Sequence, residues 1–415
     1  MNAQSVDEGS VRVSINQAEL ARRLKEARIA ADFTQDWIAD RVGVSRSAIV
    51  QIEAGKRAVS SIELTRLAHQ YGRDLGSFFA EEFNTENSLV AHFRAENGFD
   101  ANEELIGSLQ ECLRVGRELA DLETLTGADR VASTVAYRLQ TPRTRWEALT
   151  QGRQTADAER QRLRLGDTPV EDIVSLLGGQ GVRAAVLDLP DDVSGLTLVD
   201  HDAGPLVVAN RANFSLRRAF SFAHEYGHVL MDRNDRGTIS RQGDDQNLLE
   251  VRANSFAAAF LMPEDGIRRM IADLGRSTSA RLARDTGDGE VRPPSNSAIR
   301  FTDVAELAHH YRVTRKAMAF RLRALGMLTP AQLEAILGVN ETSGASIARG
   351  LGLDPPNQHH ERESFNRRFA KLATSAYEAQ MISRSKLMEH LTGVCDMTRE
   401  DATDLADRLE DAVIE

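Results

Sequence analysis

Apolar residues recur at helical spacing through residues 15–80, with tight punctuation between the runs. "NQAELARRLKEARIAA" sets Leu20, Leu24 and Ala27 on one helical face. "TQDWIADRV" follows, with Thr34 placed to cap it and Gly43 to close it. Ser45 stands where the next helix, "RSAIVQIEAG", needs a cap, and Gly55 ends that helix. "SSIELTRLAHQYG" repeats the arrangement. From about residue 166 the pattern changes. "VEDIVSLLGGQG" reads as a helix ended by glycines, and "VRAAVLDL", "SGLTLV" and "PLVVAN" are short β-branched runs that predict three strands. Helices are expected at 217–232 and 247–262, the second stopped by Met262-Pro263. Residues 277–298, rich in Gly, Ser, Pro and charge, read as a loop. Residues 312–326 look like a second helix–turn–helix, but a structural role beside the strands is expected of them.

The chain is thus expected to be multidomain. An all-α head occupies 15–80, a polar helical spacer 84–160 with a joint near Pro142, an α+β domain with a small sheet 161–330, and a mostly α-helical region 331–415. At 415 residues, with 41% hydrophobic and 27% charged, the composition is that of a soluble globular protein. No apolar run approaches the roughly 20 residues that span a bilayer. The first residues lack a signal-peptide layout, so a cytoplasmic protein is expected, with no membrane partner. Only two cysteines occur, Cys112 and Cys395, far apart, so any metal must be held by His and carboxylate. The net charge is −11 and unevenly spread: residues 17–80 carry ten Lys/Arg against eight Asp/Glu, and 81–415 carry −12. An acidic body repels phosphate, so contact with nucleic acid belongs to the head.

One stretch carries catalytic chemistry. In "AFSFAHEYGHVLMD", His224 and His228 lie four apart and share a helix face, the pairing that zinc accepts from a helix. Glu225 is rotated about 100° from the first histidine, where it reaches a water on the ion and can take its proton. Gly227 weakens the helix, and close approach of another backbone is expected there. A catalytic ion needs a third protein ligand. Glu250, at the start of "LLEVRANSFAAAFLMP", is one candidate, on a helix whose Asn254, Ala257 and Ala258 allow close packing; Asp244 and Asp245 are competitors. Tyr226, His309, His310 and Tyr311 are oxyanion-stabilising candidates by residue type alone.

"LRRAFSFAHEYGHVLMD" followed by "EVRANSFAAAFLMP" resembles the ImmA/IrrE family of bacterial and phage metallopeptidases, over about residues 150–330. The family pattern departs only at Phe260, where Leu is commoner. The resemblance implies a zincin-like fold, Zn2+ (Mn2+ being possible in the family), metal ligands His224, His228 and Glu250, and Glu225 as general base. It further implies limited proteolysis of a regulatory protein, a partner repressor or the chain itself, in a stress or DNA-damage response. In zincin-like folds a substrate pairs with an edge strand, which points to the sheet at 182–209 and its strand "PLVVAN".

"TQDWIADRVGVSRSAIVQIEAGKR" is similar to the XRE-type, lambda-repressor-like helix–turn–helix domains. Ile38, Ala39, Val44, Ile49 and Ile52 are expected in its core, with Arg46, Ser47, Val50 and Gln51 facing outward. The resemblance implies that the helix beginning after Ser45 enters the major groove of a double-stranded DNA operator. Arg46 then suits guanine and Gln51 adenine, with Ser45 and Ser47 at the helix start and Gln35, Lys56 and Arg57 on phosphates. Glu53 is expected to serve the core turn, and such heads commonly act as homodimers. The alternative is a transcription factor whose zincin-like domain senses metal or ligand, or docks a partner, without cutting, as in a toxin–antitoxin or phage-defence system.

Overall fold

The computed structural model describes residues 16–30, 33–71, 75–79, 83, 103–128, 134–200, 204–232, 237–241, 246–274, 299–353 and 357–414. Asp244, Asp245 and the expected loop at 277–298 lie outside them. By its contacts the chain forms two compact units, dividing between Arg117 and Glu118.

The first unit opens with α1 (Gln17–Ala30), α2 (Gln35–Val42), α3 (Arg46–Glu53), α4 (Ser61–Gln70) and a 3-10 turn (Leu75–Phe78). The punctuation acts as the sequence predicts. Thr34 Oγ1 accepts the Trp37 N–H at 3.2 Å, and Ser45 Oγ accepts the Ala48 N–H at 3.2 Å. Gly43, at φ +78°, ends α2 in the left-handed region that disfavours side chains. Leu24, Ile38, Ala39, Ile49, Ile52, Leu67 and Tyr71 close one apolar core, with Val44 partly buried against it. Glu53 lies buried among the helices, where Arg28 grips both its oxygens at 2.6 and 3.0 Å and Gln35 Nε2 donates to Oε2 at 2.9 Å. One carboxylate thereby ties α1, α2 and α3 together.

After α5 (Glu103–Leu125) come α6 (Arg145–Arg162) and α7 (Ile173–Gly178), then β1 (Arg183–Leu187), β2 (Val193–Asp200) and β3 (Gly204–Asn210). Helix α8 (Ser215–Met231), strand β4 (Gly237–Arg241) and helix α9 (Leu248–Leu261) follow. The sheet order is β1-β3-β2-β4. β3 runs parallel to β1 and antiparallel to β2, and β4 pairs antiparallel with β2. β1 and residues 206–210 are buried throughout, the continuous apolar signature of strands covered on both faces. The strand "PLVVAN" is therefore central, hydrogen-bonded on both sides, and cannot receive an added strand; the edge beside α8 is β4. That strand escaped the sequence pattern because only Ile239 in "GTISR" is apolar.

Helix α8 packs on β2 and β3, and α9 packs between α8 and α6. Helix α6, although it begins N-terminal to residue 161, is thus part of the packing around Glu250. The remaining helices are α10 (Phe301–His310), α11 (Arg315–Ala324), α12 (Pro330–Leu337), α13 (Glu341–Gly350), α14 (His360–Glu378), α15 (Arg384–Gly393) and α16 (Arg399–Ile414). In α11, Met318, Ala319 and Leu322 are buried and Arg321 Nε donates to Met262 O at 3.0 Å, so this segment is built into the second unit. No described helix is long and apolar enough to cross a membrane.

Candidate functional site

Helix α8 presents His224 and His228 one turn apart, and α9 brings Glu250 against them from its first turn. The two Nε2 atoms stand 3.1 Å apart. Glu250 Oε2 is 3.1 Å from His224 Nε2, and Oε1 is 3.2 Å from His228 Nε2. All three side chains are buried. Ligands spaced tetrahedrally around an ion at zinc–nitrogen distances lie about 3.3 Å apart, so the triangle has the dimensions such an ion needs.

The outer nitrogens explain why. His228 Nδ1 faces Asp232 Oδ2 at 2.7 Å and His224 Nδ1 faces Asn254 Oδ1 at 3.0 Å. Each oxygen accepts an Nδ1–H, which fixes the tautomer and leaves both Nε2 lone pairs pointing inward at a carboxylate. Acceptors facing acceptors in a buried site call for a cation, and these three residues could hold a metal ion. Without one a proton serves: burial opposes charge on His228, yet Asp232 and Glu250 outweigh it and hold its imidazole well above the ordinary value. Burial likewise works against the Glu250 carboxylate, and the two histidines reverse that, leaving its carboxyl far below the ordinary range. Asp232 is itself held by Arg252, whose Nη1 donates to Gln151 Oε1 at 3.0 Å. A largely buried chain from Gln151 on α6 through Arg252 on α9 thus orients a histidine on α8.

Glu225 is fully buried on the strand side of α8. Thr197 Oγ1 donates to its Oε2 at 2.7 Å, while Oε1 has no hydrogen-bond partner among the described residues. Gly195 makes the room, since a Cβ there lies 2.8 Å from Oε1. Burial raises the Glu225 carboxyl above the ordinary range, against the pull of the two histidines and of Thr197.

The other expectations divide. Gly227 does admit a neighbour, but it is the ring of Phe256, 3.1 Å from where a Cβ would be, and not a backbone. The Tyr226 hydroxyl donates to the buried Glu159, far from any role on an oxyanion, and its ring packs edge-on against Phe256 and Phe260. His309 and His310 are exposed at the end of α10, and Tyr311 is buried facing Gly266 and Arg160. Sequence reasoning missed Asp232, Thr197, Ser240 and Arg252. Only Asp232 had a local signal, standing four residues after His228.

In the first unit, α3 exposes Arg46, Ser47, Val50 and Gln51 on one side. Arg46 has a loose ion pair with Asp36 at 3.4 Å, both side chains being about two-thirds exposed at 64% and 67%. Ser45 and Ser47 share a hydrogen bond at 2.9 Å. Lys56 is exposed, whereas Arg57 pairs with Glu63 at 2.6 Å and Gln35 is engaged by Glu53.

Comparison with known proteins agrees with this division. No curated protein matches the chain. Residues 19–76 match the family model of a helix-turn-helix domain. Residues 179–323, which include the histidine pair, Glu225 and Glu250, match that of an IrrE N-terminal-like domain of the M78 peptidases. The chain therefore joins a helix-turn-helix DNA-binding domain to an IrrE-like metallopeptidase domain in one polypeptide.

Proposed function

We propose that the chain is a DNA-binding transcriptional regulator and a zinc-dependent endopeptidase that cuts a regulatory protein, a partner repressor or itself, during a stress or DNA-damage response in the cytoplasm. The observation that carries this is the buried triangle of His224, His228 and Glu250 beside a buried carboxylate with an uncommitted oxygen. Zn2+, or Mn2+ in its place, would be held by those three side chains and would supply a Lewis acid that lowers the pKa of water and polarises a peptide carbonyl. Glu225 is the general base. Thr197 pins Oε2, so the proton is taken at Oε1 and later passed to the leaving amine. The presence of this base favours cutting over a purely sensing role.

The head binds a double-stranded operator as a homodimer through α3. Arg46, Ser47 and Gln51 read base edges while Ser45 and Lys56 meet the backbone; Gln35 and Arg57 join them by giving up part of their bonds to Glu53 and Glu63. Arg46→Ala is expected to weaken operator binding roughly tenfold to a hundredfold and to relax preference at one base pair, as measured by fluorescence anisotropy across an operator series.

Asp232 holds the tautomer of a metal ligand. Asp232→Asn is expected to weaken zinc retention about tenfold to a hundredfold, read by competition with a chromophoric chelator. Proteolysis itself is tested in cells by mass spectrometry of protein N termini. The expected result is a new terminus in a regulator, or in this chain between its two domains, that is absent in cells making His228→Ala protein. No metal-site-dependent terminus under stress would contradict the peptidase role.

A further inference from the structure

The sheet supplies a wall to the metal centre. Gly195 pairs with Ser240 and Thr197 with Thr238 across β2 and β4, and cross-strand partners point to one face. On that face Glu225 Oε1 fills the space over Gly195, Thr197 holds Oε2, and Ser240 Oγ lies 3.1 Å from His224 Nε2. Ser240 is only 2% exposed, on the edge strand nearest the centre. Its backbone is fixed from the other side, where Ser194 Oγ donates to Ser240 O at 3.1 Å.

In the neutral tautomer whose Nδ1–H donates to Asn254 Oδ1, the one a metal ligand requires, Nε2 is the acceptor and the Ser240 hydroxyl the donor. With Nε2 serving as a metal ligand, the Ser240 hydroxyl would need another acceptor on this face, and an oxygen held at the centre beside the three ligand side chains would supply one. We propose that Ser240 is the fourth functional side chain of this centre, its hydroxyl donating to the carbonyl oxygen of a polypeptide held there. The proposal rests on His224, His228 and Glu250 being metal ligands. It fills the position that Tyr226, His309, His310 and Tyr311 leave open.

The test uses the full chain loaded with Co2+, whose visible absorption reports its ligands, titrated with acetohydroxamate as an oxygen-donor probe. Ser240→Ala is expected to take up Co2+ in the wild-type ratio, which also shows that the site is folded, and to bind acetohydroxamate about tenfold to a hundredfold more weakly. Ser240→Thr keeps a hydroxyl and is expected to restore affinity. Ser240→Cys is expected to add a thiolate-to-cobalt band in the near ultraviolet, because position 240 faces the ion. Unchanged acetohydroxamate affinity in Ser240→Ala, loss of Co2+ uptake in that variant, or no new band in Ser240→Cys overturns the proposal. A wild-type protein that takes up no Co2+ refutes the metal reading beneath it and this proposal with it.

Discussion

Glu225→Gln is expected to lower kcat/KM for the cleaved polypeptide about a hundredfold to ten-thousandfold, with metal content and operator binding unchanged. The substitution keeps shape and leaves an oxygen to accept from Thr197 Oγ1, so the wall of the site stands. What goes is the proton acceptor. The same change relieves the fold. Glu225 is fully buried, and burial already raises its carboxyl. Swapping a buried carboxylate, which burial disfavours, for a neutral amide removes a desolvation cost, so the metal-free variant is expected to unfold at a temperature no lower than the wild type. Loss of cleavage without loss of stability separates catalysis from folding; a marked fall in thermal stability would instead make Glu225 a structural group.

The second large effect lies at a glycine with no chemistry of its own. Gly152→Ala is expected to destabilise the metallopeptidase domain by about 3 kcal/mol, read by urea denaturation, and to weaken zinc retention with it. A Cβ at Gly152 would sit 2.3 Å from Arg252 O, 2.8 Å from Ser255 Cβ and 2.9 Å from Phe256 N. Two of those atoms are backbone of α9, so α6 and α9 must separate. α9 carries both Glu250 and the Arg252 that holds Asp232, and displacing it opens the triangle. Gly227→Ala makes the contrast. Its nearest neighbour is a Phe256 ring atom at 3.1 Å, and alanine regains about 1 kcal/mol of helix propensity, so the net change there is small.

These two glycines also mark what the sequence discloses. Gly227 sits inside a motif and drew notice, yet the close backbone contact is at Gly152, where nothing local distinguishes it from any other helical glycine. His224 and His228 were legible because a helix turns spacing into direction, and Glu250 because its neighbourhood carries a second motif. Thr197 and Ser240 were not legible. They reach the centre through the register of β2 with β4, and β4 is five residues long with one apolar side chain. The three β-branched runs were correctly read as strands, but strand order is a non-local property, and "PLVVAN" proved to be interior. In the head, caps, turns and core followed from short-range pattern. The ties of Gln35 to Glu53 and Arg57 to Glu63 did not, because they join side chains 18 and 6 residues apart whose meeting depends on how the helices pack.

Everything assigned to the second domain depends on a cation between two imidazoles and a carboxylate. Elemental analysis of purified wild-type protein beside His224→Ala tests that most directly. About one zinc per chain in the wild type, lost in the variant, is the predicted result. No metal in either protein, even after zinc is supplied, would contradict it and leave a DNA-binding regulator on a catalytically silent scaffold.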